Sequence, residues 1–211
     1  MIKRNSIAGI ILAAGASTRF GRPKQLLCLK GKYMIEWVLD AALSSRLDRI
    51  VLVLGDSHKK VLEALGQKLQ HPKLTIEINP EFHRGQSHSL RAGLSKVKDG
   101  FAAVMFLLGD QPMINSAIIN LLLETYQAAG KDICVPTYRG KRKNPTIFGH
   151  RLYGKLMEIK GDKGARELID QNPDQVSIVD LDDPLIFLDI DTPQDFENLK
   201  KVFQAQLNAK S

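Results

Sequence analysis

The chain has 211 residues, 44% of them apolar, and a formal net charge of +7. That length supports one substantial core and makes two domains a strained reading, so a single domain over residues 1–211 is expected. Aromatics are sparse at 6%, and the basic residues are scattered apart from Lys141, Arg142 and Lys143. With no nucleic-acid-binding motif either, the charge argues against nucleic acid and fits an anionic small molecule. Cys28 and Cys134 lie far apart without neighbouring ligand spacing, which predicts buried reduced thiols and neither zinc nor a disulfide framework. The basic start at Met1 leads into an apolar run too short for a membrane span and without a cleavage site, so no signal peptide and no membrane association are expected, and a cytoplasmic protein is the default.

Branched apolar runs at Ile7 to Ala13, Ile50 to Leu54, Leu74 to Ile78, Ala102 to Leu108 and Ile133 to Val135 predict buried strands. Between them, helical periodicity marks Met34 to Leu43, Lys59 to Leu69, Ser87 to Val97 and Ile118 to Ala129. The alternation predicts an α/β fold, a mainly parallel sheet with helices on both faces. Polar residues from Tyr138 to Lys143, followed by the short apolar Thr146 to Phe148, suggest a hairpin or lid insertion. Leu185 to Ile190 reads as a last strand, and Asp191-Thr192-Pro193 starts a closing helix from Gln194.

The first strand empties into Leu12-Ala-Ala-Gly-Ala-Ser-Thr-Arg-Phe-Gly-Arg-Pro-Lys24. Small residues let backbone N–H groups approach an anion, and Arg19 and Lys24 can neutralise it, so the loop predicts a polyphosphate cradle. It lacks the Gly-Lys-Ser/Thr ending of the P-loop and the third glycine of the dinucleotide fingerprint. Gly109-Asp110-Gln111-Pro112 ends the strongest apolar run, and ligands of such sheets bind beyond the carboxyl ends of the strands. Asp110 is therefore a candidate magnesium ligand, or else a turn-forming aspartate. If Leu185 to Ile190 continues as a strand, Asp189 and Asp191 point the same way and either joins Asp110; alternatively Asp191 caps the last helix. The segment from Asn79 to Leu90 runs from a strand into a helix and offers small polar residues to a base or sugar, although Ser87 and Ser89 also suit a helix start. His83 and His88 have no recognisable ligand spacing. Gly161-Asp162-Lys163-Gly164-Ala165-Arg166 is a turn into a helix whose N-terminus suits an anion.

Taken in order, Leu-Ala-Ala-Gly-x-Ser-x-Arg-Phe-Gly-x-x-Lys, Gly-Asp-Gln-Pro, Gly-Asp-Lys-Gly-Ala-Arg and Asp-Ile-Asp-Thr-Pro resemble the molybdenum cofactor nucleotidyltransferases over nearly the whole chain. The Leu-Ala-Ala-Gly opening resembles the cytidylyltransferase branch, whereas the guanylyltransferase branch typically opens Leu-Ala-Gly-Gly, which makes Ala14 the diagnostic position. The resemblance implies a Rossmann-like three-layer α/β/α fold. It also implies transfer of CMP from CTP to molybdopterin with release of pyrophosphate and Mg2+ as cofactor. It places Leu12, Ala13, Ala14 and Gly15 against the nucleotide, Arg19 and Lys24 on its phosphates, and Gly85 and Ser89 on the base. Asp110 and Asp191 would hold magnesium, with Asp189 the runner-up, and Asp162, Lys163 and Arg166 would face the pterin. Alternatives are a guanylyltransferase on the same cofactor, a sugar-phosphate or methylerythritol-phosphate nucleotidyltransferase, and a non-catalytic cofactor carrier. The basic hairpin at Lys141 to Lys143 could serve a receiving molybdoenzyme or the substrate, or be a solvated turn.

Overall fold

A computed structural model describes residues 3–15, 20–161 and 165–208. In chain order the first half contains β1 (Lys3–Ala13), a two-stranded hairpin of β2 (Cys28–Leu29) and β3 (Lys32–Tyr33), α1 (Met34–Leu43), β4 (Arg49–Leu54), α2 (His58–Leu65), β5 (Leu74–Ile78) and α3 (Gln86–Ser95). The second half contains β6 (Phe101–Leu108), α4 (Ser116–Ala129), β7 (Ile133–Tyr138), β8 (Lys141–Arg142), β9 (Thr146–Gly149), α5 (Tyr153–Glu158), α6 (Arg166–Asp170), β10 (Val176–Asp180) and α7 (Pro193–Asn208).

The main sheet runs β10-β7-β9-β6-β1-β4-β5, with β8 added to β7. All neighbours on the β6-β1-β4-β5 side are parallel, and β10 is parallel to β7. Only β9 among those seven strands runs the other way, antiparallel to both β6 and β7. Alternation along β1 sends Ile7, Ile11 and Ala13 to a face covered by α1, α2 and α4, while Ala8, Ile10 and Ala14 meet α3, α5 and α6 on the other. The three-layer α/β/α fold expected from the sequence is the one observed.

Several boundaries differ for identifiable reasons. The predicted helix to Leu69 stops at Leu65, where Gly66 takes a positive φ of 49° and a 3-10 turn follows. Thr146 to Phe148 is no lid: all of β9 is buried because it fills the centre of a sheet covered on both faces, while the polar stretch before it forms the β7–β8 hairpin. Leu185 to Ile190 is not a strand. Asp183 accepts a hydrogen bond from the Leu185 N–H at 2.9 Å and starts a 3-10 turn over Pro184–Phe187. The Ile190 N–H then bonds the Asp110 carbonyl at 3.1 Å instead of a neighbouring strand. The outermost strand, β10, lies earlier in the chain than that expected strand. Cys134 is buried as expected, but Cys28 is exposed, because the short β2 turns Leu29 inward and Cys28 outward. Among the described residues, no helix is long and apolar enough to cross a membrane.

Helix α3 lies unusually close to the sheet at Gly93. A Cβ there would stand 2.5 Å from Cγ2 of Ile10 and 2.9 Å from Cγ2 of Val53. Alanine would gain roughly 1 kcal/mol of helix propensity but overpack this contact by about 1–3 kcal/mol, so packing wins. Gly93→Ala is expected to lower unfolding free energy in urea melts, whereas Gly154→Ala in α5, with nothing within 4 Å of the added methyl, is expected to leave it unchanged or slightly raised.

Candidate functional site

Strands β1 and β6 are hydrogen-bonded neighbours whose carboxyl ends finish side by side, Leu12 opposite Leu108. The loops that follow therefore leave the sheet together. The Gly109 N–H donates to the Leu12 carbonyl at 3.0 Å, and a Cβ on Gly109 would stand 2.8 Å from that of Ala13. Gly55, after β4, comes as close on the other side, its missing Cβ 2.5 Å from the Ala14 carbonyl oxygen. Buried Gln25 completes the support, donating from Nε2 to the carbonyls of Ala13 at 2.8 Å and Gly15 at 3.3 Å.

Above these ends opens a cleft of about 500 Å³. One wall is Leu12, Ala13, Ala14, Gly15 and Lys24; the opposite wall, from the start of α3 and the turn before it, is Phe82, His83, Gly85, Gln86 and Ser89; Asp110 lies on its floor edge. Gly85 has a φ of 105°, which favours glycine and turns the chain into α3. The Ser89 hydroxyl accepts from Asn79 Nδ2 at 3.0 Å, which ties α3 to the end of β5.

At the mouth of the cleft, Lys24 Nζ lies 2.6 Å from Asp110 Oδ2 and 3.0 Å from Asp191 Oδ1, with the lysine side chain only 16% exposed. Burial opposes the ammonium charge, but the charge and hydrogen bond of Asp110, reinforced by Asp191, outweigh it and raise its pKa above the usual lysine value. Asp191 is free for this contact because Thr192 caps α7. The Asp195 N–H donates to Thr192 Oγ1, and the Asp195 carboxylate accepts from the Thr192 N–H. No strand forms at Asp189, so alternation does not pair it with Asp191, although its carboxylate is near enough to feel the charges of Asp110 and Asp191. Its Oδ1 accepts from Nε2 of the buried Gln111 at 2.8 Å. Although the residue is exposed overall, loss of hydration at its carboxylate and then the nearby charge of Asp110 push its pKa up, against the Gln111 hydrogen bond and the positive charge of Lys143.

Asp110 also presents Oδ1, buried and without a hydrogen-bond partner. An orphaned carboxylate oxygen beside a second carboxylate is a donor set suited to a hard cation. Among the described residues, no three His, Cys, Asp or Glu side chains converge to hold a metal alone, so ligand or water oxygens would have to complete its shell. The residues fit magnesium on those terms.

Leu12, Ala13, Ala14, Gly15, Lys24, Gly85, Ser89 and Asp110 are thus brought to one cleft, with Asp191 reaching its mouth through Lys24. Arg166 is not among the lining residues; it is exposed at the start of α6. Arg19, Asp162 and Lys163 lie outside the described residues. Sequence reasoning passed over Gln25 and Gln111, whose roles depend on being buried amides, a property no local pattern announces. Phe82 and Gln86 lay within the segment from Asn79 to Leu90 that the sequence marked, but were not singled out.

A cleft at the carboxyl ends of a mainly parallel sheet, with a small-residue loop, a lysine and paired carboxylates, defines a nucleotide-handling α/β protein. The chain belongs to the MobA-like NTP transferase domain family, whose model matches residues 9–176, and is a nucleotidyltransferase of that family. It is 29% identical over 201 residues to the purine catabolism protein PucB of Bacillus subtilis, covering 92% of this chain and 96% of that protein. It is 28% identical over 138 residues to a probable molybdenum cofactor guanylyltransferase of Thermococcus sibiricus, covering 65% of each. The crystal structure of Rv0371c from Mycobacterium tuberculosis superposes with a TM-score of 0.81 at 29% identity, covering 93% of this chain and 98% of that one. A manganese complex of the same protein gives 0.77 at 28% identity over the same shares. The chain also spans about a third of the length of bifunctional GlmU proteins that it matches.

Gln25→Leu would leave the Ala13 carbonyl short of a buried donor, at a cost of about 1–3 kcal/mol. The expected result is a lower thermal midpoint and weaker nucleotide binding by calorimetry; unchanged values in both would remove Gln25 as the support of the loop.

Proposed function

We propose that the chain transfers CMP from CTP to the phosphate of molybdopterin, releasing pyrophosphate and forming molybdopterin cytosine dinucleotide. The observation that carries nucleotidyl transfer at this cleft is the Lys24 ammonium held between Asp110 and Asp191 at the end of the small-residue loop. Cation and carboxylates stand together where a polyphosphate lying on that loop would end.

In this reading Leu12, Ala13, Ala14 and Gly15 pack against the nucleotide, and Gly85 and Ser89 hold the base. Arg19 and Lys24 offset charge on the transferred and departing phosphates. Asp110 and Asp191 hold magnesium, which when bound supplies further neutralisation of phosphate charge. Asp191 is preferred to Asp189 because it shares Lys24 with Asp110, whereas Asp189 is engaged by Gln111. An acceptor phosphate oxygen attacks the α-phosphorus in line as the bond to the pyrophosphate oxygen breaks. The acceptor monoester, with a second pKa of roughly 6, is already largely ionised near neutrality, so no side chain has to take a proton. This accounts for a cleft whose one histidine, His83, lies on its exposed rim. Positioning and charge carry the rate.

The choice of CTP rests on Ala14. Ala14 is 5% exposed and lines the cleft, and in this reading its methyl group takes space that a glycine would leave to a larger base. The similarity to the Thermococcus protein favours GTP as the second reading. Thermal stabilisation by each of the four ribonucleoside triphosphates with magnesium, paired with pyrophosphate release on adding molybdopterin, separates the two. CTP is expected to stabilise most, and Ala14→Gly to move the preference toward GTP; a parent protein that prefers GTP overturns the base assignment. Asp110→Ala is expected to lose on the order of a hundredfold or more in turnover with an unchanged circular dichroism spectrum. Near-normal turnover in that variant would remove Asp110 from the reaction.

A further inference from the structure

The β7–β8 hairpin stands on the side of Asp110 away from the nucleotide wall, and one of the three consecutive cations that begin on it differs from its neighbours. Lys141 and Arg142 are exposed, and Arg142 is paired with Asp170. Lys143 is half-buried, fixed by its own N–H donating to the Pro136 carbonyl at 2.9 Å. Its ammonium sits 5.9 Å from the centroid of the Phe187 ring, which in turn is buried and packs against Tyr138. Phe187 lies two residues before Asp189, and the Lys143 charge is felt at that carboxylate. Yet the two form no ion pair, and the Asp189 Oδ1 accepts from Gln111. Among the described residues, then, the Lys143 ammonium has an aromatic floor and no acceptor.

An ammonium set over an aromatic ring, with three donors and no protein acceptor among those residues, suits an anionic ligand. The topology indicates which anion. The nucleotide walls draw on the end of β1 and its loop, the turn before α3 and the start of α3, which leaves the side of β9, β7 and β10 for the partner that meets the α-phosphorus. From that side Asp189 and Asp191 present only negative charge. A phosphate monoester dianion arriving there needs a cation, and lysine serves phosphate as a point charge.

We propose that Lys143 is a substrate-binding residue that takes the phosphate of the acceptor, a phosphomonoester, and guides it past Asp189 toward the nucleotide. This rests on the nucleotidyl-transfer reading above. Phe187 lies beneath the ammonium, and Asp189, whose Oδ1 is held by Gln111, makes no ion pair with it.

The test compares the parent protein with Lys143→Ala and Lys143→Arg, with Lys141→Ala as a control on the same hairpin. Anaerobic titration calorimetry with molybdopterin and with its dephosphorylated form needs neither nucleotide nor turnover. The parent and Lys143→Arg are expected to prefer the phosphorylated form, and Lys143→Ala to lose that preference by on the order of tenfold. Lys141→Ala should behave as the parent. In the transfer assay, Lys143→Ala should raise the KM for molybdopterin by a similar factor while kcat, the KM for CTP and stabilisation by magnesium-CTP stay as in the parent. An undiminished preference in Lys143→Ala, a parent that binds neither form, or a KM effect confined to CTP would each overturn the proposal. Failure of the nucleotidyl-transfer reading shows separately, as absence of stabilisation by any nucleoside triphosphate in the parent.

Discussion

The arrangement depends most on one lysine held by two carboxylates that the chain brings from far away. Asp110 lies 86 residues beyond Lys24, and Asp191 lies 167 beyond it. Such contacts close only if the sheet has already set the carboxyl ends of β1 and β6 level and the segment after Phe187 has docked through the Ile190 to Asp110 backbone bond. The Lys24 cluster is thus a product of the whole topology. It also relieves a repulsion: without the ammonium, Asp110, Asp189 and Asp191 would crowd like charges on one edge.

Backbone approach does as much as charge. Gly55 and Gly109 flank the Ala13–Ala14 turn so closely that neither admits a side chain, and Gln25 satisfies the carbonyls that the turn exposes inward. Ala13 and Ala14 are therefore boxed in from beneath by the fold, while they also border the cleft. Clearance for a ligand and close packing beneath it are two results of the same choice of residues.

Much of this was legible in the sequence. The five branched runs and the intervening helical periods gave the layers, because a strand buried on both faces has little freedom of composition. The loop from Leu12 to Lys24 and the turn at Asp110 stood out because small residues and charges at strand ends conflict with core packing. What escaped depended on tertiary context. Leu185 to Ile190 is apolar enough for a strand, but Asp183 and Pro184 start a tight turn, and the Ile190 amide pairs with the Asp110 carbonyl. Thr146 to Gly149 is too short to announce a central strand, and only its place between β6 and β7 makes it one. Thr192 took the capping duty open to Asp191 because Asp195 stood three residues on to reciprocate, and the alternation that joined Asp189 to Asp191 failed with the strand that carried it.

The reversal of β9 has a consequence for how such a protein can change. Because that strand runs against its neighbours, the chain returns to the ligand-binding edge between β7 and β9 without a crossover helix. The hairpin that carries Lys143 is consequently a short excursion from two adjacent strands, free to lengthen or exchange its charges at the cost of little more than the exposed Arg142–Asp170 pair with α6. The half of the edge built on β1, β4 and β5 has no such freedom, since its loop is wedged between Gly55, Gly109 and Gln25. A lineage built on this plan can hold its nucleotide chemistry constant while altering what it modifies.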